Sequence, residues 1–459
     1  MKISGKKTIY GLTMLVFAGL LLSSCKSITY QIDRAVINGQ YDEAVKLHEK
    51  NKKKLYNKKS IILYQLDSGM LNFYAGNNDP SIQLLQDAEY SIEEAYTKSI
   101  TEGIGMVLAN HKSQSYAGED YEDLYINAFN ALSYNRKDQN ESAMVEVRRM
   151  SEKLAFINAK YEVIAAALEN KERKSRKTRR ALKDTERLGV VLTLRRYNYR
   201  IALNDSVLGR YMGMLFYRNA GKYDDVRIDY EAIGNIFSSE ARLYNFPIPS
   251  AVKNELDVSP HEARLNVMSF SGLSPIKGED VLEMRFDNDL KVTYSIPKLV
   301  YRPSAVSRVE IVFDDGETYR MELLENIELV QGELMRFKLE EIMKATRARV
   351  LAKAIPAQVA YGVGKSLLKG GVTAVVGLPI WGAGMIGAIY ITSTERADTR
   401  ASRYFPGKVH ISGIGLEPGT YSFKVNYYDT EGTVITSVPF NDVPLTAGRL
   451  NLVEAFCLK

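Results

Sequence analysis

Apolar and polar positions alternate with two different periodicities along this chain. From about residue 27 to residue 240, glycine and proline are scarce and apolar residues recur every three or four positions, the spacing of amphipathic helices. After a Phe-Pro-Ile-Pro-Ser stretch that follows Asn245, a period of two and turn signals take over, as in β-strands. The pattern therefore predicts an α+β multidomain protein, with an all-helical first half and a β-rich, sandwich-like second half.

Several strands can be placed in the second half. Val309–Phe313 and Thr318–Met321 flank the turn sequence Asp-Asp-Gly-Glu, which predicts a β-hairpin. Alternation returns at residues 408–411, 420–427, 433–438 and 449–456. We therefore predict five segments: a leader (1–24), a helical domain (25–245), the first half of a β-rich domain (246–331), a helical insertion (332–401) and the second half of the β-rich domain (402–459).

The helical half contains four candidate helix-turn-helix units. In the clearest, Gly213, Tyr217, Gly221 and Tyr223 give a small residue, an aromatic, a turn glycine and a second aromatic. This order resembles the tetratricopeptide repeat, in which small residues let two helices pack closely and aromatics fill the gap to the next unit. The other copies use Gly39, Tyr41 and Ala44; Gly69 and Gly76; and Ala131, Tyr134 and Ala143, which lack a turn glycine. The resemblance predicts a tetratricopeptide-like solenoid whose concave groove accepts envelope proteins.

The insertion joins a basic amphipathic helix to a long apolar run. No charge occurs between Lys369 and Glu395, a length that can cross a bilayer. Pro379 and several glycines weaken a spanning helix, however. The favoured interpretation is a glycine-rich helical hairpin that is buried in the domain or in an oligomer formed through residues 370–391, and a membrane span is the alternative.

The beginning of the chain has the layout of an export leader. Three lysines precede an uncharged apolar run of about 14 residues, which is short for a spanning helix. The run ends in Leu22, Ser23, Ser24 and Cys25, which resemble the lipobox of bacterial lipoproteins. The resemblance implies that Cys25 carries diacylglycerol and, once residues 1–24 are removed, an acyl chain on its new amino terminus. An ordinary secretory signal with a coincidental cysteine is the alternative.

Composition limits the classes of protein that fit. A hydrophobic fraction of 45% over 459 residues is enough for two or three domains with proper cores. Removing the three leader lysines lowers the net charge from +6 to +3, which does not indicate a nucleic-acid partner. Acylation of Cys25 leaves Cys457 as the one free cysteine and excludes an intrachain disulfide.

A dense basic run lies at residues 171–187. It is interpreted as a solvated face of a helix, and contact with lipid phosphates or with an acidic partner is the alternative.

Candidate motifs for catalysis or cofactor binding fail on inspection. Gly364-Lys365-Ser366 ends like a phosphate-binding loop, but Val359 stands where the opening glycine is needed. Residues 382–387 spell a dinucleotide-binding string inside an apolar run rather than at a strand-to-helix turn. The four histidines are scattered, and zinc, thiol-redox and serine-hydrolase motifs are missing from the sequence. We therefore predict no metal, no cofactor and no enzymatic activity.

Short motifs near the carboxyl end resemble a family of bacterial envelope lipoproteins. They are Asp398-Thr399-Arg400, Phe405-Pro406 and Leu416-Glu417-Pro418-Gly419-Thr420-Tyr421, similar to the DTR…LP…LPPGTY region of that family. Residues 118–122 and 143–149 are also similar to it, whereas Ser402 stands where the family tends to have tryptophan. The resemblance implies placement in the envelope and assembly through repeats, and it supplies no enzymatic activity.

The residue after the lipid-bearing cysteine bears on localisation. An acidic residue there would favour retention in the inner membrane, but Lys26 follows Cys25, so we expect the outer membrane with the body facing the periplasm. The predicted function is a lipid-anchored scaffold that binds the membrane through Cys25 and envelope proteins through the repeat groove, without nucleic acid. The alternatives are a membrane-inserting, pore or secretion-complex component that uses residues 370–391, and an enzyme acting on peptidoglycan or another glycan.

Overall fold

The computed structural model describes residues 28–101, 115–174, 203, 205–285, 290–369 and 374–459. The chain is a mixed α/β protein in which a helical region precedes the sheets, as the sequence predicted. The helices of the first part are α1 (residues 28–37), α2 (Tyr41–Leu55), α3 (Ile61–Tyr74), α4 (Asn78–Thr101), α5 (Asp120–Asn135), α6 (Asn140–Lys174), α7 (Val207–Asn219), α8 (Tyr223–Ser239) and the short α9 (Ser250–Asn254).

The same turn joins α1 to α2, α3 to α4, α5 to α6 and α7 to α8. Its central residue has a left-handed backbone, with φ of 72° at Gly39, 76° at Gly76, 56° at Asp138 and 70° at Gly221. In all four turns the N–H of the next residue donates to the carbonyl five residues earlier, which closes the first helix. Asp138 thus takes the place of the turn glycine that the α5–α6 pair lacks. Aspartate adopts this left-handed conformation more readily than most residues do.

Small residues bring the two helices of a unit together. A Cβ added to Gly69 would lie 2.7 Å from Leu85 Cδ2, and one added to Gly213 would lie 2.1 Å from Asp229 Oδ2. Both glycines therefore mark close helix contacts. Their distance from the turn glycine differs by one residue: Gly213 lies eight residues before Gly221, and Gly69 lies seven residues before Gly76. Small or β-branched side chains are also fully buried five residues after each left-handed position, at Ala44, Ser81, Ala143 and Val226.

The aromatic positions of the units behave differently from one another. Tyr41 packs against Tyr74, and Tyr134 and Tyr217 are partly buried in the core. Tyr223 is 57% exposed, so the expectation that it fills a gap between units is wrong. The reason is its position, because α8 is the last long helix before the sheets and residues 240–262, all of them described, contain no further helix pair.

The strands form three antiparallel or mixed sheets. They are β1 (Ala263–Leu273), β2 (Ile276–Arg285), β3 (Lys291–Val300), β4 (Arg308–Phe313), β5 (Thr318–Arg320), β6 (Glu322–Asn326), β7 (Pro406–Leu416), β8 (Gly419–Tyr428), β9 (Val434–Leu445) and β10 (Asn451–Cys457). The first sheet has the order β10-β1-β7-β6, with β1 parallel to β10 and its other pairs antiparallel. The second, fully antiparallel, has the order β5-β4-β8-β9, and in the described part of the chain β2 and β3 form a two-stranded sheet. The predicted β4–β5 hairpin and the four later strands are confirmed.

Strand β1 is buried along both of its faces and separates two cores. Leu265 and Val267 pack with side chains of β4 and β8 in the second sheet. Met268 and Phe270 belong instead to the core that the first sheet shares with the helices. The helices, the first sheet and the second sheet therefore form three successive layers.

Aromatic side chains of the first sheet pack on the inner helices of the first part. The Phe456 ring of β10 lies 5.6 Å from Phe73 of α3, and the Phe270 ring of β1 lies 5.5 Å from Phe129 of α5. On α7, the Arg218 guanidinium donates to Asn266 Oδ1 of β1 at 2.9 Å. The chain's own sheet thus covers the inner faces of α3, α5 and α7.

Two helices interrupt the sheets, α10 (Ile327–Lys369) and α11 (Ala374–Thr394). The insertion begins five residues before its predicted start, because Asn326 Oδ1 accepts from the N–H of Leu329 and lets β6 run directly into α10. The two helices pack on each other and, near their bases, on β3 through a small core. Within the described residues, no helix combines the length and apolar character that a membrane crossing requires.

Candidate functional site

The resemblance to envelope lipoproteins points to the segment between α11 and β7, and the structure places this segment against the helices. We call residues 395–405 the docking segment. Arg400 pairs with Asp398 through two contacts, Nε to Oδ1 at 2.8 Å and Nη2 to Oδ2 at 2.6 Å, and Nη1 donates to the carbonyl of Lys59 at 3.1 Å. Thr399 is half-buried between them. Burial opposes ionisation of Asp398, but the hydrogen bond from Arg400 and nearby positive charges outweigh it and lower the pKa of the carboxyl.

The next residues of the docking segment bind a buried carboxylate of α3. Asp67 Oδ1 accepts from Ser402 Oγ at 2.7 Å and from the N–H of Arg403 at 2.8 Å. Its other oxygen accepts from the Tyr56 hydroxyl at 2.7 Å, which in turn contacts His48 Nε2 at 2.9 Å. Burial raises the pKa of Asp67. Every oxygen of this carboxylate is therefore used to hold the segment and the loop before α3.

A second buried carboxylate, on α5, holds the same segment. Glu122 Oε1 accepts from the N–H of Ser402 at 2.6 Å, and Oε2 accepts from the Tyr116 hydroxyl at 2.7 Å and from the N–H of Glu119 at 2.8 Å. Glu122 thereby also completes the capping box of α5. Burial, followed by the charge of Glu119, raises the pKa of Glu122 to about 7.

Glu119 connects this cluster to β2 and α10. Its carboxylate pairs with Lys277 Nζ at 2.7 Å and Lys338 Nζ at 2.9 Å. Burial would raise the pKa of Glu119, but the two ammonium groups outweigh burial and lower it. A cavity of about 10 Å³ lies beside these three side chains, room for a single water molecule at most.

Helix α1 supplies the last contact of the docking segment. Asp33 Oδ2 pairs with Arg403 Nη2 at 2.5 Å, and Asp33 Oδ1 accepts from the Tyr404 hydroxyl at 3.3 Å. The Tyr404 carbonyl accepts from Tyr74 of α3 at 2.8 Å. The docking segment therefore ties α1, α3 and α5 to the strand that follows it.

Two further buried carboxylates join the helices to the first sheet. Glu325 of β6 accepts from the hydroxyls of Tyr125 and Tyr244 and from the N–H of Leu208 at the start of α7. Burial raises the pKa of Glu325. In a separate cluster, Glu255 pairs with Arg218 at 2.9 Å and Arg264 at 2.7 Å, all three being buried.

The protein's own N–H, O–H and cationic groups therefore hydrogen-bond or pair with these carboxylates. The docking segment and its neighbours accordingly have a structural role: they hold the helices against the first sheet. Among the residues that the structure describes, no group of three or more histidine, cysteine or acidic side chains is placed to hold a metal ion. Comparisons with protein-family models, curated proteins and solved structures find no match for this chain.

The remaining predicted residues lie elsewhere. Pro418, Gly419 and Tyr421 lie at the turn from β7 to β8, where the Tyr421 hydroxyl donates to the carbonyl of Glu417 at 2.9 Å. They belong to the second sheet, whereas the Asp398–Arg400 motif contacts the helices. Both discounted nucleotide strings, at residues 364–366 and 382–387, fall inside helices. Leu22, Ser23, Ser24 and Cys25 lie outside the described residues, as do parts of the 171–187 and 370–391 segments.

Proposed function

We propose that this chain is a lipid-anchored lipoprotein of the bacterial outer membrane, with its body in the periplasm, that acts as a non-catalytic scaffold for envelope proteins. The observation that carries the proposal is the sequence Leu22-Ser23-Ser24-Cys25 at the end of a basic and then apolar leader. Two or three acyl chains on one cysteine make membrane attachment effectively permanent. The first described helix begins at residue 28, so lipid on Cys25 holds the folded body within a few residues of the membrane.

We also propose that the helix pairs form a tetratricopeptide-like solenoid and the two larger sheets a sandwich-like domain. The four equivalent turns and the small residues between paired helices support the first part. The core shared by the two four-stranded sheets supports the second. Both elements are rigid supports of the kind on which interaction surfaces are built.

The surface for envelope partners is proposed to lie on the outer helices rather than in the repeat groove. The sequence predicts that envelope proteins bind in the repeat groove. The first sheet packs on the inner faces of α3, α5 and α7, however, and leaves those faces covered. The outer helices instead carry large apolar side chains in solvent, namely Tyr90 on α4 (70% exposed), Phe156 on α6 (47%) and Ile228 on α8 (59%). Aromatic side chains such as Tyr90 and Phe156 are of the type that is enriched in protein interfaces.

Site-specific photo-crosslinking in intact cells tests this proposal. A benzophenone amino acid replaces Tyr90 or Ile228, and the control position is Asp315, in the solvent-exposed β4–β5 turn. We expect discrete crosslinked products at the two helical positions and none at Asp315. The proposal is overturned if all three positions behave alike and the protein is recovered as a lone monomer at its native level.

A further inference from the structure

The helical hairpin formed by α10 and α11 is only partly accounted for by the fold. Its base packs on β3, where Val350 and Ala354 of α10 and Ile391 of α11 join the small core. Among the described residues, Tyr361 is the last position of α10 that packs there. The helix continues for eight residues to Lys369, about 12 Å at the rise of an α-helix. Residues 362–369 of α10 therefore extend past the core that the two helices share with β3.

Glycines at the interface of the two helices allow their backbones to approach closely, so the hairpin is tightly packed. A Cβ added to Gly364 would lie 2.3 Å from the backbone nitrogen of Trp381, and one added to Gly384 would lie 2.6 Å from that of Tyr361. The Tyr361 and Trp381 rings lie 6.0 Å apart. The small residues thus face the partner helix, which directs the large apolar side chains outward.

Those outward side chains are apolar and exposed. Ile386 is 68% exposed, Ile389 64% and Leu378 49%, at the helical spacing that forms one stripe along α11. On α10, Val359 and Val363 are 53% and 47% exposed. Val363 and Leu378 lie beyond the core shared with β3, whereas Val359, Ile386 and Ile389 lie level with it, since Gly384 and Gly387 face Tyr361 and Ala357. Contiguous apolar surface that faces water is unusual on a monomer and marks a site of contact.

The charge of the hairpin distinguishes between two binding partners for this surface, a second copy of the chain and a lipid bilayer. The sequence has no aspartate or glutamate from residue 342 to residue 394, and Lys365 and Lys369 lie towards the distal end of α10. Two copies of such a surface would bring positive charges together, whereas an anionic bilayer offers acyl chains for the stripe and phosphates for the lysines. Tyr361 and Trp381 are of the aromatic type that is enriched at the membrane–water interface.

We propose that the hairpin of α10 and α11 is an interfacial membrane-binding element. It lies in the headgroup region of an anionic leaflet, with the stripe of Leu378, Ile386 and Ile389 in the acyl boundary and the lysines at the phosphates. This contact does not depend on lipid at Cys25, and it extends the proposed anchoring to a second attachment point.

The single tryptophan of the chain makes the proposal directly testable. Trp381 is the only tryptophan in the sequence, so tryptophan emission reports on the hairpin alone. The test uses the full mature chain with Cys25→Ser, in which acyl chains cannot contribute, and vesicles of phosphatidylethanolamine with a minority of phosphatidylglycerol. We expect the chain to float with these vesicles and the emission to shift to shorter wavelength, with weaker binding to phosphatidylcholine vesicles.

Matched variants separate the stripe from general surface effects. Ile386→Asp should weaken vesicle binding by about tenfold or more, because it places a charge in the acyl boundary. Ile228→Asp, at a similarly exposed position on α8, should bind like the parent chain. The inference is overturned if the folded parent chain fails to float, if Ile386→Asp binds as well as the parent, or if the emission shift follows protein concentration without vesicles, which would indicate a second copy.

Discussion

Asp67→Ala is expected to lower the free energy of unfolding by about 3–5 kcal/mol. The substitution removes the acceptor of the buried Ser402 hydroxyl and of two partly buried donors, the Tyr56 hydroxyl and the N–H of Arg403. Each buried donor that loses its partner costs about 1–3 kcal/mol. Equilibrium denaturation with urea measures the change. Trypsin should also cut the variant at Arg400 or Arg403 under native conditions, because the docking segment loses its hold on α3.

The matched control for this variant is Asp224→Ala. Asp224 also pairs with an arginine, Arg227, but both side chains are largely exposed, so water replaces the lost contact. Since Asp224 also lies in the first turn of α8, we expect a loss of less than about 1 kcal/mol and no change in the tryptic pattern. An Asp67→Ala protein as stable as the parent, with an uncut docking segment, would contradict the role assigned to the buried carboxylate.

Glu122 is expected to make the protein less stable as the pH rises from about 5 to about 8. Its folded pKa of about 7 stands above the ordinary value of 4.5, so between these values the folded chain binds a proton that the unfolded chain has released. The stabilisation is fully present below the unfolded pKa and is lost as the pH rises through the folded pKa. A shift of this size corresponds to a change on the order of 3 kcal/mol.

The Glu122→Gln variant isolates this contribution from other titrating groups. Its amide does not ionise, so the free energy of unfolding of the parent minus that of the variant should decrease as the pH rises through this window. Denaturation of both proteins in a series of buffers gives that difference directly. A difference that stays flat from about pH 5 to about pH 8 would show that Glu122 does not titrate with a raised pKa.

The elements of the fold could largely be predicted because local patterns determine them. The helical first part, the β4–β5 hairpin and the turns at Gly39, Gly76 and Gly221 all follow from short-range spacing. The turn at Asp138 was not predicted, because the turn pattern was searched through glycine and this turn has its left-handed backbone at an aspartate. Strand β1 was not singled out because its polar positions, such as Asn266, face a buried Glu255 rather than water.

The candidate site was only partly predictable because its contacts span long sequence distances. The motif that led to Asp398 and Arg400 is local, but the partners Asp67 and Glu122 lie 335 and 280 residues from Ser402. One sequence signal was available for α3: its residues are apolar on nearly every side, which is typical of a helix covered all round. An aspartate in such a helix indicates a buried, hydrogen-bonded carboxylate. Its partner cannot be named from spacing alone.

The same limit applies to the repeat groove. Spacing predicts that inner and outer helices alternate, but it does not show that β1 and β10, which follow much later in the chain, pack on the inner faces of α3 and α5. The exposed outer helices are therefore the surface on which the proposed scaffold role depends, and the hairpin is the proposed second membrane contact.

The mass of the amino-terminal peptide of the protein, isolated from its own envelope, tests the central proposal most directly. We predict that the mature chain begins at Cys25 and that its first peptide carries a diacylglyceryl thioether and an acylated amino group. A mature chain that retains residues 1–24, or that begins at an unmodified cysteine, would contradict the account.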